Sequence, residues 1–408
     1  MKNKIKKEIA RVVIKKELYK KEFFNKFLKI NTYKNISENE IILYFYGTRN
    51  NTYQINQWID TFIELNKKHK IIIVVRNIRV YMFWRNSLPF DIYFASSLND
   101  VLVAYKKVDP KIILYINNGV KNFQSLIYED AMHIHINHGE SDKSSDHSNQ
   151  VKSYDYIFVH GPNGYNNYKK YLINLNSKKL VQTGRPQLDF IKPISIETYD
   201  KKVIIYAPTW EATHISMNYT SVHKYGVKLV SKILKESEYF LIYKPHPSLG
   251  INNNDVKLAH NEILNMVKTS KFAMTITNTD INNIYPIVDF AIFDMSSIMT
   301  DYLHINKPFV LADVFNKDVH TVTDYNVLEA CTTININNID NIITIIENEI
   351  KNDTLKKKRE EIKNLYLGNY KKGESIIKFI DTISNIIIER DIQVEQKYNL
   401  EKGITYAK

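Results

Sequence analysis

Short apolar runs rich in β-branched residues recur along the chain, and they constrain its fold more than any other feature of the sequence. Runs of this length are typical of strands buried on both faces of a parallel sheet. Amphipathic stretches at 53–68 and 224–237 can supply crossover helices. The alternation predicts the α/β class with parallel sheets. The runs lie at 41–47, 71–75, 112–116, 133–137, 156–161, 203–208, 239–245, 272–277, 288–294 and 308–313.

These ten runs fall into two groups, which predicts two Rossmann-like domains rather than one barrel. The 408 residues are enough for two domains, each with its own core. The best linker candidate is 192–202, which has no clear periodicity and contains one proline. We therefore predict a basic amphipathic helix over 1–30, an N-terminal domain over 31–195 and a C-terminal domain over 200–390, whose last part is helical.

The positive charge is concentrated at the N-terminus. Residues 1–30 contain eleven Lys or Arg and three Glu, a net charge of +8 of the +12 carried by the whole chain. Apolar residues recur there at mostly helical spacings, so the segment can lie on an anionic membrane surface. The alternative is a helix that packs on the body of the protein and shows its lysines to water. Neither a secretion signal nor a run of 18 apolar residues is visible.

Several function classes are disfavoured by composition. The hydrophobic fraction of 44% excludes disorder as the dominant state. A single cysteine, Cys331, excludes an intramolecular disulfide and any Cys-rich zinc site. No zinc-finger, RNP-type or helix-turn-helix signature accompanies the basic residues, which argues against a nucleic-acid partner.

A polar loop at 137–150 follows one of the predicted strands. Open α/β sheets place their sites in loops at the carboxyl ends of parallel strands. His138 can act as a general base, because an imidazole titrates near neutral pH. Lys143 can hold a phosphate, and Glu140 and Asp142 belong to the same polar loop. A solvated loop without a function is the alternative.

Three further segments contain residues that could line a cleft: 183–191 with Arg185, 206–211 and 243–250. Thr209 and Trp210 follow a strand at its carboxyl end, although Trp210 could also pack in the core. His246 stands between two prolines, where the chain is stiff and a strand cannot continue. This position suits contact with a phosphate, and a structural role is the alternative for His246.

The segment 288–303 predicts a strand followed directly by a helix. Asp294 or Ser296 can cap that helix, and Ser297 lies in its first turn. The free N–H groups of a helix N-terminus offer an anion site that needs neither glycines nor a metal. Plain capping without a ligand is the alternative.

Together, these motifs form an ordered set. Its members are His138-Gly139 with Lys143, Thr183-Gly184-Arg185-Pro186 with Asp189, Tyr206-Ala207-Pro208-Thr209-Trp210, His246-Pro247, Asp294-Met295-Ser296-Ser297 with Asp301, Lys307-Pro308 and Gly373-Glu374-Ser375. In this order they resemble the CDP-glycerol glycerophosphotransferase family of teichoic-acid and capsule polymer enzymes. The resemblance covers about 130–380 and implies a GT-B fold, in which two Rossmann-like domains face a cleft.

Two motifs depart from the family pattern. The family's usual loop reads Trp-His-Gly-Thr-Pro-Leu-Lys, whereas this chain has Asn-His-Gly-Glu-Ser-Asp-Lys over 137–143. The acceptor side is therefore expected to differ. The family's Asp-Tyr-Ser-Ser is Asp-Met-Ser-Ser over 294–297, a change that matters little where serine and backbone groups do the binding.

The resemblance implies transfer of glycerol phosphate, or a related alditol phosphate, from a CDP-activated donor to a lipid-linked or growing glycan acceptor at the cytoplasmic face of the membrane. His138 is then the base. His246, Ser296, Ser297 and the helix N-terminus stabilise the charge that develops on departing CMP, with Asp294, Thr209, Trp210 and Arg185 as further donor-site residues. Neither a metal nor a cofactor is expected.

Three alternatives stay open at this point. A GT-B glycosyltransferase could use another nucleotide sugar on the same fold. A non-hydrolysing UDP-sugar epimerase also has two Rossmann halves, but it needs no lipid acceptor and leaves the amphipathic N-terminus unexplained. A membrane-associated scaffold could have kept the fold and lost catalysis, although the presence of His138 and His246 argues against it.

Overall fold

The computed structural model describes residues 36–141, 148–212, 218–314 and 326–406. The predictions for 1–30, Asp142 and Lys143 therefore lie outside the described residues.

The first half of the chain forms a seven-stranded sheet in which every described pairing is parallel. The strand order is β3-β2-β1-β4-β5-β6-β7, so the chain reverses direction across the sheet between β1 and β4. The core strands are Ile- and Val-rich and buried on both faces, as parallel strands covered by helices must be. The strands are β1 Ile41–Phe45, β2 Ile71–Val75, β3 Asp91–Phe94, β4 Ile112–Tyr115, β5 Met132–His135, β6 Tyr156–Val159 and β7 Leu180–Gln182.

The second half forms a six-stranded parallel sheet with the order β10-β9-β8-β11-β12-β13. Both sheets thus repeat the Rossmann order, with a switch point beside the first strand of each, where open α/β sheets bind ligands. The predicted α/β class with two parallel sheets is confirmed. The strands are β8 Lys202–Ala207, β9 Tyr239–Tyr243, β10 Ala273–Thr275, β11 Phe290–Phe293, β12 Phe309–Ala312 and β13 Thr332–Ile334.

Helices cover the faces of both sheets. Several begin with side-chain caps: Ser97 and Asp100 form a capping box, and the Asn253 side chain accepts from the N–H groups of Asp255 and Val256. The helices are α1 Tyr53–Asn56, α2 Ile59–Lys68, α3 Ile78–Trp84, α4 Leu98–Val108, α5 Pro162–Tyr171, α6 Val227–Lys235, α7 Asn254–Thr269, α8 Ser297–Tyr302, α9 Ile342–Asn352, α10 Lys356–Leu367 and α11 Glu374–Tyr406.

Two of the predicted helices are less regular than their periodicity indicates. The stretch 53–68 breaks into α1 and α2 at Gln57 and Trp58. The break places the Trp58 indole N–H 3.0 Å from the carbonyl oxygen of Asn137, which it donates to. The stretch 224–237 begins with a π-turn over Val222–Gly226 before it continues as α6. A π-turn of this kind is frequent near functional sites.

The last helix, α11, returns to the first sheet. Phe379, Ile383, Ile386 and Ile387 are buried in the same cluster as Trp58 and β1, β2 and β4. The C-terminal end of the chain therefore contributes to the core of the N-terminal sheet, although the sequence position of 374–390 places it in the predicted C-terminal domain. The exact domain boundaries stay a prediction. Across the described ranges, no helix is both long and apolar enough to cross a membrane.

Candidate active site

The turn after β5 presents His138 between two residues with positive φ, Asn137 at 57° and Gly139 at 156°. The Asn137 side-chain oxygen accepts from the His138 N–H at 2.8 Å and stabilises this turn. The His138 Nδ1–H donates to the carbonyl oxygen of Ile116, at the end of β4, at 3.0 Å. A carbonyl can only accept, so the neutral ring carries its proton on Nδ1 and leaves Nε2 as the basic nitrogen.

Burial lowers the pKa of His138 to about 4, and the nearby Arg185 charge contributes in the same direction. Burial disfavours the charged imidazolium, because it loses more hydration than the neutral ring. His138 is therefore neutral in the ligand-free protein at physiological pH, which is the form that a general base needs.

Gly139 and Glu140 connect this turn to the second sheet. A Cβ atom on Gly139 would lie 2.7 Å from both the Cβ and the Oγ of Ser297, so the backbone approaches α8 as closely as a glycine allows. The Thr300 hydroxyl donates to the Glu140 carbonyl at 2.8 Å. The Glu140 carboxylate accepts from the His160 N–H at 2.9 Å, ahead of α5. The Glu140 carboxylate thus braces the first sheet, and its predicted role on the acceptor side stays a prediction.

His246 follows β9 and belongs to the second sheet. Its Nδ1 accepts from the Ser248 N–H at 3.0 Å, so a neutral ring carries its proton on Nε2. The Trp210 indole stacks on the imidazole with ring centroids 5.8 Å apart and an interplanar angle of 13°. Trp210 also packs against the apolar core beneath it, as one interpretation from the sequence expects, and its predicted contact with the donor stays a prediction. The buried Glu211 carboxylate accepts from three backbone N–H groups in the loop after His246.

Tyr53 lies between the two histidines. Its ring contacts His138 edge-on with centroids 6.2 Å apart and contacts His246 edge-on with centroids 5.7 Å apart. The two distances add to 11.9 Å, which is the greatest separation the two imidazole centroids can have. The two histidines, one from each sheet, therefore belong to one site.

Asp294 and the two serines after β11 lie at the switch point of the second sheet. The Asp294 carboxylate is fully buried and accepts from the N–H groups of Thr209 at 2.8 Å and Ser221 at 3.2 Å. Asp294 therefore organises the loops after β8, and its predicted contact with the donor stays a prediction. Ser296 is the extended N-cap residue of α8, and its hydroxyl donates to the Asp294 carbonyl at 3.1 Å. Ser297 is partly exposed and faces Gly139.

Arg185 lies away from the open part of the site, in a buried ion pair. Its guanidinium donates through Nε and Nη2 to the Asp301 carboxylate, with both distances 3.0 Å. Nη2 also lies 2.7 Å from the Gln57 side-chain oxygen and 3.2 Å from the His138 carbonyl oxygen. Both Arg185 and Asp301 are 3% exposed. These contacts join the two sheets, and the predicted contact of Arg185 with the donor stays a prediction.

The remaining family-like motifs form hydrogen bonds between segments that are distant in the sequence. The Asp189 carboxylate accepts from the N–H groups of Gly373 and Ile376, and the Ser375 hydroxyl donates to the Thr183 carbonyl. These contacts fix the start of α11 against the segment after β7. The Lys307 ammonium donates to the carbonyls of Pro286 and Val288.

Sequence reasoning missed Tyr53 and Gln57, which come from α1 and the break after it. The stretch 53–68 is interpreted from its periodicity as a crossover helix alone. The position of this stretch directly after β1, beside the switch point of the first sheet, is the sequence signal that could have identified Tyr53 and Gln57 as site residues. Gln54, in the same helix, accepts from the Asn117 side chain at 3.0 Å, which ties α1 to the end of β4. Across the described ranges, no group of three His, Cys, Asp or Glu side chains is arranged to hold a metal ion.

Two Rossmann-like sheets that meet at the carboxyl ends of their strands, with candidate site residues from both, define a protein of the GT-B fold. The sequence profile of the CDP-Glycerol:Poly(glycerophosphate) glycerophosphotransferase family matches residues 27–385. The chain therefore belongs to this family.

Known relatives agree with that assignment at different levels. The teichoic acid poly(glycerol phosphate) polymerase of Bacillus spizizenii (strain W23) is 25% identical over 177 residues, which are 40% of this chain and 41% of that protein. The chain thus matches less than half the length of this curated relative. A structure of the wall teichoic acid polymerase TagF soaked with CDPG is similar with a TM-score of 0.59 and 15% identity, over 94% of this chain and 98% of that chain.

The fold is shared with a second group of enzymes. A Listeria monocytogenes protein of the UDP-N-acetylglucosamine 2-epimerase type is similar with a TM-score of 0.61 and 12% identity, over 86% of this chain and 97% of that chain. At these identities, structural similarity establishes the fold alone. The family membership rests on the sequence profile.

Proposed function

We propose that this enzyme transfers glycerol phosphate, or a related alditol phosphate, from a CDP-activated donor to a hydroxyl group of a lipid-linked or growing cell-surface glycan, as in teichoic acid synthesis. The family membership and the curated polymerase relative support the class of reaction. The TagF structure soaked with CDPG supports the choice of donor.

One observation carries the proposed mechanism: two histidines with complementary tautomers lie on either side of Tyr53. His138 keeps Nε2 free of a proton, so that nitrogen can accept one. His246 accepts at Nδ1, so its Nε2–H can donate. A proton acceptor on one sheet and a proton donor on the other suit a reaction in which a hydroxyl attacks a phosphate.

In the proposed step, the acceptor oxygen forms a bond to the β-phosphorus of the donor while its proton passes to His138 Nε2. The bond between the β-phosphorus and the bridging oxygen breaks, and CMP leaves with the electron pair. His246 and Ser297 donate hydrogen bonds to the phosphate oxygens and stabilise the charge that develops there. The Ser296 hydroxyl joins them by rotating its one proton away from the Asp294 carbonyl. The diphosphate also raises the pKa of the His138 imidazole when it binds, because a nearby negative charge favours the imidazolium.

The reaction is proposed to need no metal, since hydrogen-bond donors meet the phosphate. EDTA should then leave the rate unchanged, and loss of activity in EDTA that Mg²⁺ restores would contradict this part. The enzyme is proposed to act at the cytoplasmic face of the membrane, with residues 1–30 on anionic lipid because they carry a net charge of +8.

The experiment that tests the function incubates purified full-length protein with CDP-glycerol, CDP-ribitol and UDP-sugars, each with and without a hydroxyl acceptor. The proposal predicts release of CMP from a CDP-alditol that depends on the acceptor. The epimerase alternative, which uses the fold that the chain shares with the Listeria protein, predicts conversion of UDP-N-acetylglucosamine without an acceptor. Turnover of the UDP-sugar alone would replace the proposed function by that alternative.

A further inference from the structure

We propose that Arg185 is a positioning residue: it clamps the turn that carries His138 between the two sheets and so aims the base, and it does not bind the donor. This inference rests on the proposed function, because it takes His138 as the base. It assigns a role in the reaction to a buried ion pair that joins the two halves of the molecule.

The first step concerns the guanidinium and its partners. Nε and Nη2 face Asp301, and Nη2 also faces the Gln57 side chain and the His138 carbonyl. Nη1 lies 3.1 Å from the Gln187 side chain, in the amide orientation that turns its oxygen toward the guanidinium. Each of the three guanidinium nitrogens thus faces at least one protein acceptor, and the residue is 3% exposed. A phosphate would have to displace these acceptors in order to reach Arg185.

The second step concerns the elements that the guanidinium joins. Asp301 lies on α8, which packs on the second sheet, and Gln57 lies at the break between α1 and α2 of the first. Arg185 itself follows β7, 116 residues before Asp301. One side chain therefore contacts α8, the α1–α2 break and the turn after β5 at once.

The third step concerns the aim of the imidazole. The His138 backbone is held through its carbonyl by Arg185, and its ring is held through Nδ1 by the Ile116 carbonyl. Two fixed points, one on the backbone and one on the ring, determine where Nε2 points. A displacement of about 1 Å at a reacting group can cost about a hundredfold in rate. Loss of the clamp should therefore lower kcat and leave donor binding intact.

The positive charge on Arg185 affects the pKa of His138, and this effect distinguishes loss of the clamp from a general loosening of the structure. The guanidinium is the nearby charge that lowers the pKa of His138 in addition to burial. Tyr53 and His135 are the other titratable groups that interact with the imidazole directly. The groups one contact further away are Asp301, which pairs with Arg185, His246, which contacts Tyr53, and the adjacent Glu140 with its partner His160.

The kinetic test measures donor affinity by titration with CDP-glycerol and initial rates of CMP release. It compares the wild type with R185K, R185Q and the double variant R185Q/D301N, which leaves no buried charge unpaired and so is the best folded comparison. The clamp predicts that kcat falls about tenfold or more in the double variant, whose glutamine is too short to reach Gln57 and the His138 carbonyl. Donor Kd should stay within about twofold of the wild type, and R185K should recover part of the rate. A donor Kd weakened in parallel with the rate would make Arg185 a donor ligand and overturn the proposal.

The second test follows the imidazole itself by NMR, with histidine labelled by ¹⁵N and the His138 signal identified by its loss in H138Q. Arg185→Gln should raise the pKa of His138 from about 4, because a positive charge is removed. Asp301→Asn should not raise it, because the positive charge remains. A rise of equal size in both variants would indicate solvent entry after loosening and would overturn the clamp.

His138→Ala separates the two ideas. If H138A loses activity while R185Q/D301N keeps the wild-type kcat, the clamp alone is wrong. If H138A keeps the wild-type kcat, the proposed base is wrong, and the clamp fails with it.

Discussion

Replacement of Gly139 by alanine tests the contact between the two sheets at its tightest point. The new Cβ would lie 2.7 Å from both the Cβ and the Oγ of Ser297, whereas carbon atoms normally sit about 3.5–4.0 Å apart. The turn after β5 and α8 must then separate by about 1 Å. Overpacking of this kind costs about 1–3 kcal/mol. The φ of 156° adds backbone strain of about 1–3 kcal/mol for a residue with a side chain.

The expected loss in the free energy of unfolding for Gly139→Ala is therefore about 2–6 kcal/mol, measured by urea denaturation. The matched control is Gly373→Ala, where φ is 88° and no atom lies within 4 Å of the added Cβ. That variant should lose only the strain part, about 1–3 kcal/mol. The rate of CMP release should fall about a hundredfold in G139A, because His138 moves with the turn.

Ser297→Gly removes both atoms that the new methyl group meets, so it should relieve the steric part in G139A/S297G. The expected coupling between the two positions in the unfolding free energy is about 1–3 kcal/mol. If G139A is as stable as the wild type, or if S297G brings no recovery, the two sheets do not meet at this point and the reasoning is wrong.

Four further outcomes follow. Trp210→Ala should raise the KM for CDP-glycerol about three- to tenfold in steady-state kinetics, because an aromatic stack contributes about 0.5–1.5 kcal/mol. Trp210→Phe should recover part of this loss, and an unchanged KM in Trp210→Ala would contradict a role for the stack on His246. The value of kcat/KM should fall as the pH drops through about 4, because burial disfavours the imidazolium and the neutral form of His138 is the proposed base. A fall centred near pH 6.5, about the usual pKa of histidine, would place the titrating group elsewhere. Phe379→Ala should lower the free energy of unfolding in urea by about 3–5 kcal/mol, because α11 packs in the core of the N-terminal sheet. Ile392→Ala, at a residue that is 52% exposed on the same helix, should lower it by about 0.5 kcal/mol or less. Deletion of residues 1–30 should abolish co-sedimentation with anionic liposomes, and unchanged sedimentation would favour the alternative in which this segment packs on the body.

The sequence predicts the central strands well and the edges of the sheets poorly. All ten predicted strands are present, because a strand buried on both faces must be a continuous apolar run. The three strands that were missed, β3, β7 and β13, all lie at sheet edges. An edge strand pairs on one side only and can be short and mixed in character, as Asp91–Phe94 and Thr332–Ile334 are. Such segments lack the signal on which the prediction depends.

The candidate site was predictable to the extent that it depends on strand ends. His138, His246, Ser296 and Ser297 each follow a strand, and the carboxyl ends of parallel strands share an edge. What each polar group contacts was not predictable, because the partners are distant in sequence. The Arg185 guanidinium and the carboxylate it pairs with are 116 residues apart, and no local pattern indicates that pairing.

The same limit applies to α1. Its periodicity predicts a helix correctly, yet the break at Gln57 and Trp58 turns the segment into part of the site. That break depends on tertiary contacts, such as the Trp58 indole with the Asn137 carbonyl and the Gln57 side chain with Arg185. Helical periodicity carries no information about contacts of this kind.

The central claim is that two histidines from different sheets serve one transfer reaction in different ways: His138 deprotonates the acceptor hydroxyl, and His246 contacts the phosphate of the CDP-activated donor. The most direct measurement pairs titration of CDP-glycerol binding with initial rates of CMP release for the wild type, His138→Ala and His246→Ala. The account predicts that H138A lowers kcat by about 10²–10⁴-fold and leaves donor Kd unchanged, because the base contacts the acceptor. It predicts that H246A weakens donor binding as well as turnover, because its ring meets phosphate. A His138→Ala enzyme that turns over at the wild-type rate, or a His246→Ala enzyme with unchanged donor Kd and rate, would contradict the account.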